Sequence, residues 1–512
     1  MNNYREINSV RGETRSFLKD CLLIVLLNST FLIVTTSCKQ TGEEPIDSFI
    51  TVSPDSLRFE AKEGMDTLVV KMSGTNWKVS SSQAWCSISK TLSSNKQEQL
   101  IITVTPNISR NQRNATLTFI LDGTISRVVN VNQLVKTTFL YPDYSQPIAG
   151  DSTNMTTNSF ALAKNMFVGW NLGNSLEVPT GGETGWGNAK TTQALIDSVK
   201  ASGINAIRIP CAWDSYIEDA TTCKIKDSWL ARVKEVVDYC FKNDMYVILN
   251  IHWDGGWLEE NPTYSMQNAV NAKQQALWEQ IAVNFRNYND HLLFAGTNEV
   301  HNSSGDPSAE NYAVQQSYLQ TFVDAVRNTG GKNSYRTLVV QTFSTNIDKG
   351  VQYMKMPKDN SSKRMMVEVH YYDPWDFCGD ENSKIYLWGD SFKQYGAVST
   401  WGQDSYAINQ MQKVKAAFVD KGYPVILGEY GASRRSQLTG TTLTNHLASR
   451  AYYLKFIAQQ AKQNGMVPFI WDNGFTGNNG MCIYIRSNGA CFDRQTLNAY
   501  TEGATAGKYP FK

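Results

Sequence analysis

Residues 246–254 read Tyr-Val-Ile-Leu-Asn-Ile-His-Trp-Asp, an apolar run that ends on polar and ionisable side chains. So short a run suits a strand covered on both faces better than a helix. The segments on either side, Ser228–Asn243 and Asn268–Asn287, repeat apolar residues at helical spacing. A strand between two helices is the unit of a parallel sheet, because parallel neighbours need a long crossover. Working outward, helical segments Thr191–Ser202, Glu310–Thr329, Gln403–Lys421 and Thr444–Asn464 alternate with the apolar runs Met166–Trp170, Ala206–Ile209, Leu292–Gly296, Leu338–Gln341, Met365–Val369, Val425–Gly428 and Val467–Ile470. With Tyr246–Ile251 there are eight runs, which close into an α/β fold of the (β/α)8 TIM barrel type over residues 159–512. An open doubly wound sheet is the alternative, but the first run lacks the G-x-G-x-x-G turn of a dinucleotide crevice.

A barrel gathers the C-terminal ends of its strands at one mouth. In chain order those ends carry Asn171-Leu-Gly-Asn174, Arg208, Asn250-Ile-His252-Trp253-Asp254, Thr297-Asn298-Glu299, His370-Tyr371-Tyr372-Asp373, Glu429-Tyr430 and Trp471-Asp472. Each alone reads better as a helix cap or a surface ion-pair partner. Together they would cost several kcal/mol of desolvation unless they hydrogen-bond to one another, so a shared functional cleft is the better reading. Aromatics are 11% of the chain. Trp186, Trp213, Trp253, Trp257, Trp375, Trp388 and Trp401 lie near strand ends or in the loops after them, where cleft and core are both open readings.

Glu299 and Glu429 follow the fourth and seventh runs, which places them on opposite sides of the mouth. Two carboxyl groups so placed suit glycoside hydrolysis, and a separation of about 5 to 5.5 Å gives a covalent intermediate and retention. A metal centre built from His252, Asp254, His370 and the two Glu is the competitor, without an H-E-x-x-H or H-x-H pair to support it. A phosphate-binding barrel lacks its Gly-rich cradle after the last two runs.

These residues resemble glycoside hydrolase family 5, matched in order by Arg208, His252, Asn298, Glu299, His370, Tyr372, Glu429 and Trp471 across almost all of residues 160–512. Gly169-Trp-Asn-Leu-Gly-Asn174, Glu183-Thr-Gly-Trp186-Gly-Asn188, Arg208-Ile-Pro210 and Val369-His-Tyr-Tyr-Asp-Pro374 look like the subfamily 4 endo-β-1,4-glucanases and xyloglucanases. The resemblance implies a retaining endo-β-1,4-glucanase needing neither cofactor nor metal, with Glu299 as general acid and base and Glu429 as nucleophile. Arg208 is expected to keep Glu429 ionised, while Glu299 needs a raised pKa. The resemblance also implies that Tyr372 donates to Glu429, Asn298 meets the sugar 2-hydroxyl, His252 and His370 complete the network, and Trp471 floors the reacting sugar. Asn174, Trp253 and Trp375 are expected along the cleft. The family's Asn-Glu-Pro reads Asn298-Glu299-Val300-His301 here, which removes a backbone restraint on Glu299 and leaves His301 open as substrate contact, modulator or surface residue. Within the class, xyloglucanase and mannanase share this machinery; a non-catalytic glycan-binding lipoprotein is the reading from another class.

Residues 1–37 carry Arg5, Arg11, Arg15 and Lys19, then the apolar run Cys21–Val34, then Thr35-Thr-Ser37. That is an export signal, and small residues before Cys38 resemble a lipoprotein processing site with lipidation at Cys38. Residues 38–49 read as a tether, and 135–158, with Pro142 and Pro147, as a linker without periodic structure. Between them, residues 50–134 alternate in short strands separated by turn residues, an Ig-like β-sandwich. Trp77-Lys-Val, Trp85-Cys86, Asn111-x-Arg113-x-Ala115-x-Leu117 and Val129-x-Val131-x-Gln133 resemble a BACON-type domain, as spacer or glycan binder, with Trp77 and Trp85 read as core. The remaining seven Cys read mainly as buried apolar side chains, Cys482 and Cys491 being the closest pair for a disulfide. A net charge of +1 provides no field for nucleic acid or anionic lipid, so a neutral substrate is expected, which the family resemblance implies is a β-glucan. The expected protein is a monomer exported to the bacterial outer membrane and held by its lipid alone, at the cell surface or on the periplasmic face.

Overall fold

The computed structural model describes residues 48–107, 112–134, 140–303 and 306–510. The expected signal, Cys38 and the tether up to Asp47 lie outside the described residues. None of the described helices is long and apolar enough to cross a membrane.

The N-terminal module is a two-sheet sandwich. One sheet runs Ile50–Ser53, Gly64–Met72, Gln97–Val104, Cys86–Ile88, and the other Ser56–Phe59, Ile125–Gln133, Arg113–Leu121, Trp77–Ser81, Leu92–Ser93. Strand alternation does the sorting: on Arg113–Leu121, Ala115, Leu117, Phe119 and Leu121 point inward against Trp77, Leu100 and Ile102. Trp77 and Trp85 are buried in this core, as the alternation predicts.

The eight predicted strands are present and close a parallel barrel: β1 Gly169–Asn171, β2 Ala206–Ile209, β3 Tyr246–Asn250, β4 Leu292–Ala295, β5 Leu338–Gln341, β6 Met365–Tyr371, β7 Val425–Tyr430 and β8 Met466–Ile470, with β8 paired back to β1. Their outward residues join the helix layer. Their inward ones, including Ala206, Ile248, Leu293, Val339, Met366, Ile426 and Phe469, fill the interior above Leu162 and Met166 of the helix Ser159–Asn165. Gly169 is required there, since a Cβ would stand 2.0 Å from the Phe469 ring.

The linker departs from its reading. Ile148–Gly150 pairs in parallel with Gly330–Gly331, Tyr144 N donates to Glu279 Oε2 at 3.0 Å, and Arg286 Nη2 donates to the Ser145 carbonyl at 3.0 Å. Backbone pairing with a distant segment leaves no period for a sequence to reveal. The seven cysteines are unpaired, six of them buried, so the Cys482–Cys491 disulfide is absent.

Candidate active site

Period-two alternation on β2 and β6 turns Arg208, Glu368 and His370 into the barrel, one layer above its apolar filling. Arg208 is fully buried and divides its donors. Nη1 donates to Glu429 Oε1 at 2.9 Å and to Asn171 Oδ1 at 3.1 Å, Nη2 donates to Asn298 Oδ1 at 2.8 Å, and Nε stands 2.8 Å from Glu368 Oε1. Tyr372 donates its hydroxyl to Glu429 Oε2 at 3.1 Å. His370 Nδ1 lies 2.6 Å from Glu299 Oε1, and its Nε2 3.3 Å from Glu368 Oε1. One oxygen from Glu299, one from Glu429 and a nitrogen of His370 all stand within 4.8 Å of one another. Glu429 is nearly sealed at its side chain (8% exposed), whereas that of Glu299 opens to the cleft (43%).

The protonation pattern differs from the expected one. Burial opposes charge on His370, but Glu429, Glu299 and Glu368 outweigh it and push its pKa up to about 9. The protonated ring then donates to Glu299. Burial works upward on Glu299, yet that hydrogen bond and the charges of His370 and Arg208 bring its pKa below the ordinary glutamate value. Burial also raises Glu429, with the charges of Glu299 and Glu368, against the opposing pull of His370 and Arg208. The cation expected to dominate Glu429 is shared with Glu368, and His370 takes the proton expected on Glu299. His252 stays neutral: burial first, then the charges of Arg208 and His370, hold its pKa well below 6.5. Its Nδ1 faces Asn250 Nδ2 at 3.0 Å, and Asn250 Oδ1 is taken by Cys211 N, so the ring proton sits on Nε2.

Val300 is buried among Leu258, Val270, Val314, Tyr318 and Phe343. The restraint lost with proline is replaced by hydrogen bonds: Ser344 N to the Val300 carbonyl at 2.7 Å, and His301 N to the Glu259 carbonyl at 2.8 Å. His301 Nδ1 reaches the Glu299 carbonyl at 2.7 Å, so it fixes backbone and does not touch the carboxylate. Thr345 donates to Glu299 Oε1 at 3.2 Å from a left-handed backbone (φ 46°), next to Ser344 at φ 53°. Such conformations are costly for non-glycine residues and concentrate at functional sites. Neither Thr345 nor Glu368 was foreseen. Thr345 leaves no local signal, but Glu368 was legible from the Met366-x-Glu368-x-His370 alternation that turns all three inward.

Other predicted residues sort clearly. Trp471 is half-buried and lies nearly parallel to His252 (13°, centroids 6.1 Å apart). It fits because Gly173 has no Cβ, which would meet the indole at 2.8 Å. Asn174 lies beside it in the β1 loop with φ 54°. Trp186, Trp253, Trp375 and Trp401 are exposed, Trp257 is half-buried, and Trp213 and Trp388 are core. Asp254 is buried in the loop after β3, where its carboxylate accepts from Trp213 N at 2.7 Å and Trp257 Nε1 at 2.6 Å, and burial pushes its pKa up to about 7. Of the five candidate metal ligands, only Glu299, His370 and Glu429 come together.

Residues 172–477 match the family described as Cellulase (glycosyl hydrolase family 5). The chain belongs to glycosyl hydrolase family 5. This family 5 chain also matches a Viral BACON domain over residues 49–136. It is 36% identical over 496 residues to a xyloglucan-specific endo-β-1,4-glucanase of Bacteroides ovatus, covering 94% of this chain and 95% of that one. A solved Bacteroides ovatus xyloglucanase in complex with a XXXG heptasaccharide superposes with a TM-score of 0.70 at 36% identity, over 89% of this chain and 100% of that one. A broad-specificity endoglucanase from Clostridium acetobutylicum superposes at 0.59 and 32% identity, over 67% and 99%. As a family 5 member the protein is a glycoside hydrolase of the endo-β-1,4-glucanase class, acting with retention.

Proposed function

We propose that this family 5 hydrolase cleaves xyloglucan within the chain, with Glu429 as nucleophile and Glu299 as acid and base. The reaction rests on the close approach of Glu299, His370 and Glu429; an inverting pair would need a gap of about 6.5 to 9.5 Å between carboxyl groups to admit a water. The substrate rests on the full-length likeness to the Bacteroides ovatus enzyme, which extends through the sandwich. Exposed Trp186, Trp253, Trp375 and Trp401, in the loops after the strands, offer apolar faces for sugar rings.

Glu429, oriented by Arg208 and Tyr372, attacks the anomeric carbon as the bond to the leaving oxygen breaks, and Glu299 protonates that oxygen. Sugar binding removes water from Glu299, raises its proton affinity and draws the proton across from His370. Once Glu429 is an uncharged glycosyl ester, a like charge beside Glu299 has gone, and Glu299 accepts a proton from the water that hydrolyses the ester. Asn298 has its oxygen on Arg208, so its amide nitrogen meets the sugar 2-hydroxyl, and Trp471 lies under the ring.

The test is reducing-sugar release on xyloglucan, mixed-linkage β-glucan, carboxymethylcellulose and glucomannan by the parent and Glu429→Gln. A kcat/KM at least about tenfold higher on xyloglucan, lost in the variant, is expected. Equal rates on carboxymethylcellulose would remove the xyloglucan assignment and leave the class intact. Export and lipidation at Cys38 belong to the same proposal on the strength of residues 1–38 alone; Cys38→Ala should move activity from the membrane fraction to the soluble one.

A further inference from the structure

Glu368 is fully buried in the barrel, on the inward row of β6, yet it lies outside the eight residues that carry the family resemblance. Oε1 faces Arg208 Nε at 2.8 Å and His370 Nε2 at 3.3 Å; Oε2 accepts from Gln341 Nε2 at 2.6 Å. Gln341 is itself anchored, accepting from Thr297 N and Thr297 Oγ1 at 3.0 Å each. The neighbouring strand makes room for this carboxylate. A Cβ at Gly428, the residue before Glu429, would lie 2.0 Å from Glu368 Oε1. A chain that needed only an apolar filler there would need neither the glycine nor the glutamine.

We propose that Glu368 is a positioning residue for the acid and base: it grips the far nitrogen of His370 and so fixes the hydrogen bond by which His370 faces Glu299. The line runs Thr297, Gln341, Glu368, His370, Glu299, and each contact restricts the next. With Glu368 facing Nε2 and Glu299 facing Nδ1, the ring is favoured as the imidazolium, which donates Nε2–H to Glu368 and Nδ1–H to Glu299. The charged and titratable groups around His370 are Glu299 beyond β4, Glu429 on β7, Arg208 on β2, His252 beyond β3, Glu368 on its own strand and Tyr372 just beyond it. Glu368 also balances Arg208. If that were its whole role, its loss would act through Glu429.

Leaving-group chemistry separates the two routes, and the inference rests on Glu299 being the acid. A dinitrophenolate leaves without protonation whereas a phenolate needs it, so the parent, Glu299→Ala and Glu368→Gln are compared on both aryl glycosides of one cello-oligosaccharide. For Glu368→Gln we expect kcat/KM to fall about a hundredfold on the phenyl substrate and less than about threefold on the dinitrophenyl one, with KM little changed on either. Equal losses on both would overturn the proposal and assign Glu368 to Arg208 and Glu429. If Glu299→Ala itself fails to discriminate between the leaving groups, the acid assignment fails instead. Nitrogen-15 NMR of the imidazoles, with five histidines in the chain, keeps the proposal open to refutation where Glu368→Gln does not fold. The parent must show His370 protonated on both nitrogens at pH 7; a neutral ring would overturn it.

Discussion

Glu299 and Glu429 are chemically identical, and their neighbours make them different. Tyr372 gives Glu429 a hydrogen bond that neither Arg208 nor His370 can replace. Tyr372→Phe is expected to lower kcat about 10- to 100-fold, a loss of about 1.5–3 kcal/mol for a bond to a charged group, with the fold retained by circular dichroism. Glu299 and His370 hold a proton between them, and in the proposed mechanism its loss removes the acid. Since His370 is raised from 6.5 to about 9, the basic limb of kcat/KM should fall above neutrality and toward 9, measured from pH 5 to 10. The folded-state pKa of His370 is above the unfolded one, so His370 stabilises the fold fully below about 6.5 and ceases to as pH rises through about 9. A basic limb near 5 would refute a proton held by this pair.

At the scale of the element, β6 shows how a strand serves core and site at once. Its outward residues Val367 and Val369 pack under the helices, and its inward ones step from Met366 in the filling to Glu368 and His370 in the site. The long segment after β6 divides likewise. Trp388 is buried, donating Nε1 to the Gly402 carbonyl at 2.7 Å, while Trp375 is 55% exposed and meets Tyr372 edge-on. Trp388→Ala should cost about 3–5 kcal/mol of stability in denaturant unfolding. Trp375→Ala should leave the unfolding midpoint in place and raise KM on polymer several-fold, as loss of an exposed sugar platform would. At the barrel's foot, Gly169→Ala drives a methyl into Phe469 and should cost about 1–3 kcal/mol, visible as a lower Tm with kcat unchanged. The helical segments were legible to within a few residues because their apolar spacing is local, and the turn Ser344-Thr345 was not, because its backbone is imposed by Glu299 and Val300 from another loop.

For the molecule as a whole, the sandwich meets the barrel at the end remote from the cleft. Ala84 N donates to Asn360 Oδ1 at 3.3 Å, and Trp85, under the guanidinium of Arg113 at 4.4 Å, borders a cavity of about 290 Å³ shared with Asp324 and Lys358, ahead of β5 and β6. Removing residues 1–139 should therefore leave kcat on soluble glucan within about twofold while lowering Tm by a few degrees. Loss of activity would mean that the sandwich reaches the cleft. The sequence by itself determined the number and order of the strands, the sandwich before them and the two carboxylates, because period and turn chemistry are local and barrel closure brings every strand end to one mouth. Tertiary structure alone decided which tryptophans are exposed and which are core, that residues 148–150 pair with 330–331, that Glu368 backs His370, and which way the pKa of each buried acid and imidazole moves. Burial and proton affinity are set by groups from four different strands, tens to hundreds of residues apart, whose distances no spacing along the chain contains.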